Sequence, residues 1–328
     1  MLLRCYGMVI RKASPETDQE ARSLLQKAVR RGNAAVASAT FRYLATTKGD
    51  LTWLRARLGV IAYEEAWPCG GQLTFSKSPE DLCQEYQSLA LARKSKDAAG
   101  LGALAYALSK GDTSVMRGDE SDWPLRVVAR ALDEKAKFAE WIRGLPVSAE
   151  PARLRVVEGA LTSARKAGWA WDKAFAYAGA LLATQELLPP CDAAATDSGE
   201  DVASFPFWVA IDRHTQSGKE AIRKAAEACD VPARTATWIS FYFESAVCVN
   251  EAPSLWWTRE RAWRLSKLGL LESDAERVWR SGLRETLAEL VRDDAEALRG
   301  RVAPFVEADG LVCGSRRSKE TAEQLELF

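Results

Sequence analysis

The sequence predicts an all-α protein: a multi-helix globular body of two helical subdomains with a flexible C-terminal tail. Three observations carry the prediction. Apolar residues recur at spacings of three and four along most of the chain, the interval that lines up one face of a helix. The period-two alternation of a half-buried strand is almost absent. An apolar content of 47% beside a charged content of 27% belongs to a chain that buries a core, so the helical stretches have something to pack against.

From Thr17 to Thr46, Ala21, Leu24, Leu25, Ala28 and Val29, then Ala35, Val36, Ala39, Phe41 and Leu44, fall on helical faces, and Gly32-Asn33 divides them into two helices. The next stretch, GDLTWLRARLGVIAYEEAW, predicts a third helix that Asp50 starts as N-cap, with Leu51, Leu54, Leu58 and Ile61 on one stripe and Arg55 and Arg57 off it. PCGGQLTFSKSPED reads as a loop that ends in a cap, Ser78, and a first helical residue, Pro79. Helices are expected over Leu82 to Ala92, Asp97 to Ser109, Leu125 to Ile142 and Ala152 to Leu188, the last divided near Gly168. KGDTSVMRGDESDWP is a polar connection. PPCDAAATDSGEDVASFP, rich in proline, serine, aspartate and small residues, reads as a linker. Beyond it, helical patterns run over Phe207 to Ile211, Ser217 to Ala228, Arg234 to Val249, Ser254 to Lys267 and Glu272 to Arg299. The expected organisation is a helical domain over 1–190, a second over 205–308 and a tail over 309–328.

Several function classes find no support. The 45 basic and 45 acidic side chains cancel, so no global field draws the chain to nucleic acid or membrane. Residues 1–60 nevertheless hold eleven Lys or Arg against four acids, a local basic excess. Seven scattered cysteines, odd in number and never spaced Cys-x-x-Cys, predict reduced thiols in a cytoplasm, without zinc or a disulfide frame. No apolar run approaches the length of a membrane span.

His214 is the only histidine, which rules out paired-histidine metal sites. On a helix it would diverge from Asp212, so the bland reading is a turn in which Thr215 or Ser217 caps the helix carrying Lys219. The Ser-Gly-Lys beside it is not a phosphate loop, because Arg213 and Glu220 stand where that motif needs glycine and a hydroxyl. Glu64-Glu65 and Asp293-Asp294 are adjacent on helices, point apart and are expected on solvated faces. No catalytic residue, metal site or cofactor is predicted.

Trp53, Trp141, Trp169 and Trp171 sit among apolar neighbours and are expected in the core. SLWWTRERAWRLSK differs: Trp257, Arg261 and Arg264 lie in a stretch where rings alternate with guanidinium groups, a pattern that stacks bases and grips phosphates of single strands. The alternative is an amphipathic helix with its tryptophans buried and its arginines solvated. With Arg30, Arg31, Arg55 and Arg57 from the basic N-terminal region, these residues are the candidate DNA contacts.

Residues 27–67, KAVRRGNAAVASATFRYLATTKGDLTWLRARLGVIAYEEAW, resemble the helical collar that follows the ATPase module in the replication-associated recombination protein A and Werner-helicase-interacting protein family, relatives of clamp loaders. Arg31, Gly32 and Asn33, then Ala39, Phe41, Tyr43 and Leu44, then Asp50, Leu54, Arg55, Arg57, Leu58, Glu64 and Glu65 occupy comparable places. AAGLGALAYALSKGD is similar to a later helix of the same region. The family's AAA+ module with its Walker motifs has no counterpart in this sequence. The resemblance implies a helical body without ATP-driven activity and leaves the collar's self-association, a homo-oligomer, as an inheritance.

The last residues, Gln324, Leu325, Glu326, Leu327 and Phe328, resemble the pentapeptide that binds the bacterial sliding clamp, the β subunit, whose usual form is Gln-Leu-Ser/Asp-Leu-Phe. The resemblance implies that the Gln324 amide makes a polar contact, Leu325 packs between subsites, Leu327 and Phe328 anchor in an apolar pocket, and Glu326 faces the rim. Burying each anchor contributes roughly 1.5–3 kcal/mol against about 1–2 kcal/mol per ordered backbone residue, which predicts affinity on the order of micromolar. The other reading of the same residues is a last helical turn with Leu325 and Phe328 folded onto the body. Together the two resemblances imply a non-enzymatic, cytoplasmic accessory of bacterial DNA replication or repair, or one carried on a phage or mobile element. The rivals are a DNA-processing enzyme addressed to the clamp and a structural subunit of a defence or mobile-element complex.

Overall fold

A left-handed glycine and a capping asparagine turn the first helix into the second. α1 (Gln19–Arg30) ends at Arg31, Gly32 takes φ 71°, and the Asn33 side chain accepts from the Val36 amide at 2.9 Å to start α2 (Ala34–Thr47). The structure is a computed structural model that describes residues 18–144, 151–185 and 211–306. The expected linker, the tail and the pentapeptide 324–328 lie outside the described residues.

α3 (Leu51–Glu65) starts after Asp50 as expected, yet the Asp50 carboxylate does not cap it and instead accepts from Arg22 Nε at 3.0 Å. The anticipated loop after α3 opens with a 3-10 turn over Trp67–Gln72. Ser78 caps α4 (Pro79–Leu91), accepting from the Asp81 amide, and α5 spans Asp97–Ser109. The single helix expected over Leu125 to Ile142 is broken: α6 (Trp123–Asp133) and α7 (Lys135–Gly144) meet at Glu134, whose φ −108° and ψ 53° leave the helical region. No glycine or proline marks that break. α8 (Pro151–Lys166) and α9 (Ala170–Leu182) flank Gly168.

α10 (Gln216–Ala228) is capped by Thr215, which accepts from the Gly218 amide at 3.0 Å. α11 (Ala233–Ser240) runs into a π-helical turn at Phe241–Ser245, so the helix expected to reach Val249 stops early. Val249 instead donates its amide to the Arg30 carbonyl at 3.0 Å. α12 (Leu255–Ser266) and α13 (Glu272–Val278) follow. A kink at Gly282, φ 129°, divides α13 from α14 (Arg284–Leu290), and a last helix, α15, covers 292–306. Ile211, expected to end a helix, is not helical. Among the described residues there is no strand, only isolated bridges joining Ala66 to Ser95 and Lys94 to Glu251, and no helix is long and apolar enough to cross a membrane.

α5 organises the packing because it is apolar all round, with Ala98 through Ala105 buried on every face. It packs against α6, α9 and α12. Gly100 lets α12 approach: a Cβ there would sit 2.3 Å from the backbone of Trp256 and Trp257. α5 thus joins elements from both sides of the expected 190/205 boundary, and buried residues from Leu24 to Leu298 form one contiguous cluster. Backbone bonds reinforce the junction, from the Ala252 amide to the Lys94 carbonyl at 2.8 Å and from the Lys94 amide to the Asn250 carbonyl at 3.3 Å. Among the described residues Cys229 and Cys248 are free thiols, but Cys69 is disulfide-bonded, a correction to the expectation of reduced thiols throughout.

Candidate functional site

Where α1, α3, α9, α11 and α12 face one another they leave a cavity of about 750 Å³. Its lining combines guanidinium groups with aromatic faces. α1 supplies Arg22 and Arg30, α3 Trp53 and Arg57, α9 Trp171 and Asp172, and α12 Trp257, Glu260 and Arg264. The turn before α10 adds Asp212, Arg213 and His214, while α11 and its π turn add Trp238 and Phe241. Trp238 and Phe241, three residues apart along α11 and the start of its π turn, fall on one helical face and share a wall, their rings 5.6 Å apart and perpendicular.

Beneath the cavity lies a buried charge cluster. Glu65 is wholly buried and accepts from both Arg30 Nε and Lys96 Nζ, the latter at 2.9 Å. Arg30 also reaches Glu64 at 2.8 Å and the Ser245 carbonyl at 2.8 Å, and Lys96 lies 4.6 Å from the centre of the Trp257 ring. Burial alone would raise the Glu65 carboxyl; the Arg30 charge, then that of Lys96, outweighs it and holds the group down at about 2. The acid pair Glu64-Glu65, expected on a solvated face, is therefore a correction: Glu65 is inside and Glu64 lines the cavity.

Most of the lining charge is already paired. Arg57 meets Asp172 at 3.3 Å and Gln26 at 3.0 Å, Arg264 meets Glu260 at 3.1 Å, and Arg22 meets Asp50 at 3.0 Å while lying 4.4 Å from the Trp53 ring. Asp212 and His214 come together in the expected turn before α10, which Thr215 caps. The turn places Asp212 Oδ1 2.8 Å from the His214 amide and 2.9 Å from its Nδ1. Burial pushes the Asp212 carboxyl up, and the hydrogen bond from His214, the Lys27 charge and a hydrogen bond from Ser23 more than reverse this. Arg213 is different: its guanidinium lies 4.1 Å from the Trp238 ring and 4.5 Å from Phe241, with no acid at ion-pair distance among the described residues.

The structure divides the candidate DNA contacts. Arg30, Arg57, Trp257 and Arg264 line the one cavity. Arg31 lies off it, joined to Glu244 at 2.5 Å. Arg55 donates to the Ser76 carbonyl at 3.0 Å, and Arg261 pairs with Glu272 at 2.6 Å. Arg30, Arg31, Arg55 and Arg57 therefore do not form one exposed basic face. The alternative drawn for the α12 stretch is half met: Trp256 and Trp257 are buried, yet so is Arg259, held by Asp122 and by the Val115 carbonyl at 2.8 Å.

Trp53 and Trp171, expected in the core, are half-buried on the cavity wall, and Trp169 stands 73% exposed at its rim. Sequence reasoning missed Arg22, Arg213 and Trp238, which are far apart in the chain and carry no local motif. Arg213 was weighed only as the residue that spoils a phosphate loop. No group of three or more His, Cys, Asp or Glu able to hold a metal occurs among the described residues. The chain matches no family model, no curated protein and no solved structure.

Proposed function

We propose that this protein is a non-enzymatic accessory of bacterial DNA replication or repair that docks on the sliding clamp through Gln324, Leu325, Glu326, Leu327 and Phe328. The observation that carries the reading is the pentapeptide itself, with its two anchor residues set in a charged stretch beyond α15. In this reading the helical body is cargo delivered to the replisome, in a cytoplasmic setting, and competes with other clamp partners for one apolar pocket.

The test is a binding titration of the full chain against a bacterial clamp, with and without the pentapeptide. Truncation after Glu323 should abolish binding and leave the melting temperature unchanged. A melting temperature several degrees lower in the truncated chain would place those residues on the body and overturn the reading.

One observation favours the enzyme rival. Asp212 fixes the His214 imidazole through Nδ1 beside the cavity, the arrangement of an oriented general base. Turnover of a nucleotide or nucleic-acid substrate that His214→Ala removes would establish it.

A further inference from the structure

We infer that the cavity is a binding site for a nucleoside phosphate, free or within a single strand, with its base against the Tyr106 and Trp171 rings and its phosphate on Arg213.

The charge balance of the lining points to an anion. Each lining carboxylate is engaged: Glu64 by Arg30, Asp172 by Arg57, Glu260 by Arg264, and Asp212 by Ser23 and His214. Arg22 has its acid outside the lining, in Asp50. Arg213 is left over. Its Nε is buried and meets no hydrogen-bond acceptor among the described residues. Leaving a buried donor without an acceptor is costly, and an occupant carrying the acceptor would offset that cost. The Arg213 guanidinium lies over the faces of Trp238 and Phe241, with Arg264 also over Trp238, and this cation–π contact holds the Arg213 side chain in place. A planar guanidinium on an aromatic wall is suited to a phosphate oxygen pair. Desolvation also pulls the Arg213 guanidinium below an arginine's ordinary value, a cost that a neighbouring anion relieves.

The rest of the lining fits a base. A volume of about 750 Å³ lies within the range of small-ligand sites, roughly 300–1,000 Å³. Tyr106 and Trp171 meet edge to face at 5.2 Å on the lining, an aromatic surface for a heterocycle. Stacking on such rings tolerates any base, so the expected preference is for the phosphate over the identity of the base.

The experiment is a calorimetric titration of the full chain with dAMP, TMP, deoxyadenosine, inorganic phosphate and a short single-stranded oligonucleotide, read in parallel as quenching of tryptophan fluorescence. dAMP, TMP or the oligonucleotide should saturate with quenching, and deoxyadenosine should bind at least about tenfold more weakly. Tight dAMP marks a free nucleotide as the source, and binding of the oligonucleotide alone marks a strand. Arg213→Met should weaken the preferred probe at least about tenfold and Arg213→Lys less so, with circular dichroism unchanged. Failure of all three phosphate-bearing organic probes to saturate, or deoxyadenosine binding as tightly as dAMP, overturns the proposal whether or not the Arg213 variants fold. The chain truncated after Glu323 should keep the nucleotide site, so this result and the clamp result stand or fall separately.

Discussion

Glu65→Gln should destabilise the fold by about 3 kcal/mol and flatten its acid dependence. The carboxylate is wholly buried between Arg30 and Lys96. Removing one partner of a buried ion pair costs about 3–5 kcal/mol, because the charge left behind is uncompensated. The lower end applies here. Gln keeps one oxygen, and Arg30 retains Glu64 at 2.8 Å, so the loss falls mainly on Lys96, whose other neighbour is the Trp257 ring. Linkage gives the same size by a separate route. A carboxyl moved from 4.5 to about 2 contributes on the order of 3 kcal/mol at neutral pH.

The sign follows from the depressed value: the contribution is present above pH 4.5 and is lost as pH falls toward 2. At about 2.1 cal/mol/K per residue, 328 residues unfold with an entropy of roughly 0.7 kcal/mol/K, so 3 kcal/mol lowers the melting temperature by about 4 °C. The assay is thermal melting by circular dichroism from pH 7 to pH 2.5 for wild type and variant. The two curves should converge toward the acid end. A variant that melts within about 1 °C of wild type at pH 7, or runs parallel to it at every pH, would refute the ionic reading of the cluster.

Gly100→Ala should loosen the contact of α5 with α12, because the new Cβ would lie 2.3 Å from backbone that no rotamer change can move; limited proteolysis near Trp256 together with a lower melting temperature is the readout, and a Tm matching wild type counts against the packing described. Lys94→Met should cost roughly 2–3 kcal/mol, since Lys94 Nζ donates to the carbonyls of Leu89, Ala90 and Ala92 at 2.6–2.9 Å and closes the end of α4; denaturant unfolding measures it, and an unchanged midpoint would contradict it.

Helix positions were legible because the apolar stripes and the capping residues are local. Asp97 to Ser109 matches α5 at both ends, and Asn33, Ser78 and Thr215 cap the helices they precede. What was not legible depends on distant partners. Asp50 stands at a cap position, but Arg22 from α1 claims its carboxylate. Glu134 breaks a continuous apolar pattern without a glycine or proline, and the helix after Arg234 yields to a π turn before the chain meets the Arg30 carbonyl. The site was half legible: the Trp and Arg interleaving in α12 located Trp257 and Arg264, while Arg213 and Trp238 join them only through the fold.

The basic excess of residues 1–60 loses its expected meaning once its partners are known. A cation draws DNA by releasing counterions from the phosphate it neutralises, which requires that the cation be free to do so. Arg22, Arg30, Arg31 and Arg57 are instead paired with Asp50, Glu64 and Glu65, Glu244 and Asp172, and Lys27 is buried with its amine on the Ile211 carbonyl. Of these acids, only Asp50, Glu64 and Glu65 come from the N-terminal quarter of the chain; Asp172 and Glu244 are brought in by α9 and the π turn after α11. These four arginines are therefore the donor half of ion pairs that knit the chain together. An anion approaching these four arginines meets cations already paired, whereas Arg213 has no acid at ion-pair distance among the described residues. On the reading proposed above, contact with nucleic acid would rest on the cavity, and recruitment to DNA on the clamp that the pentapeptide is proposed to bind.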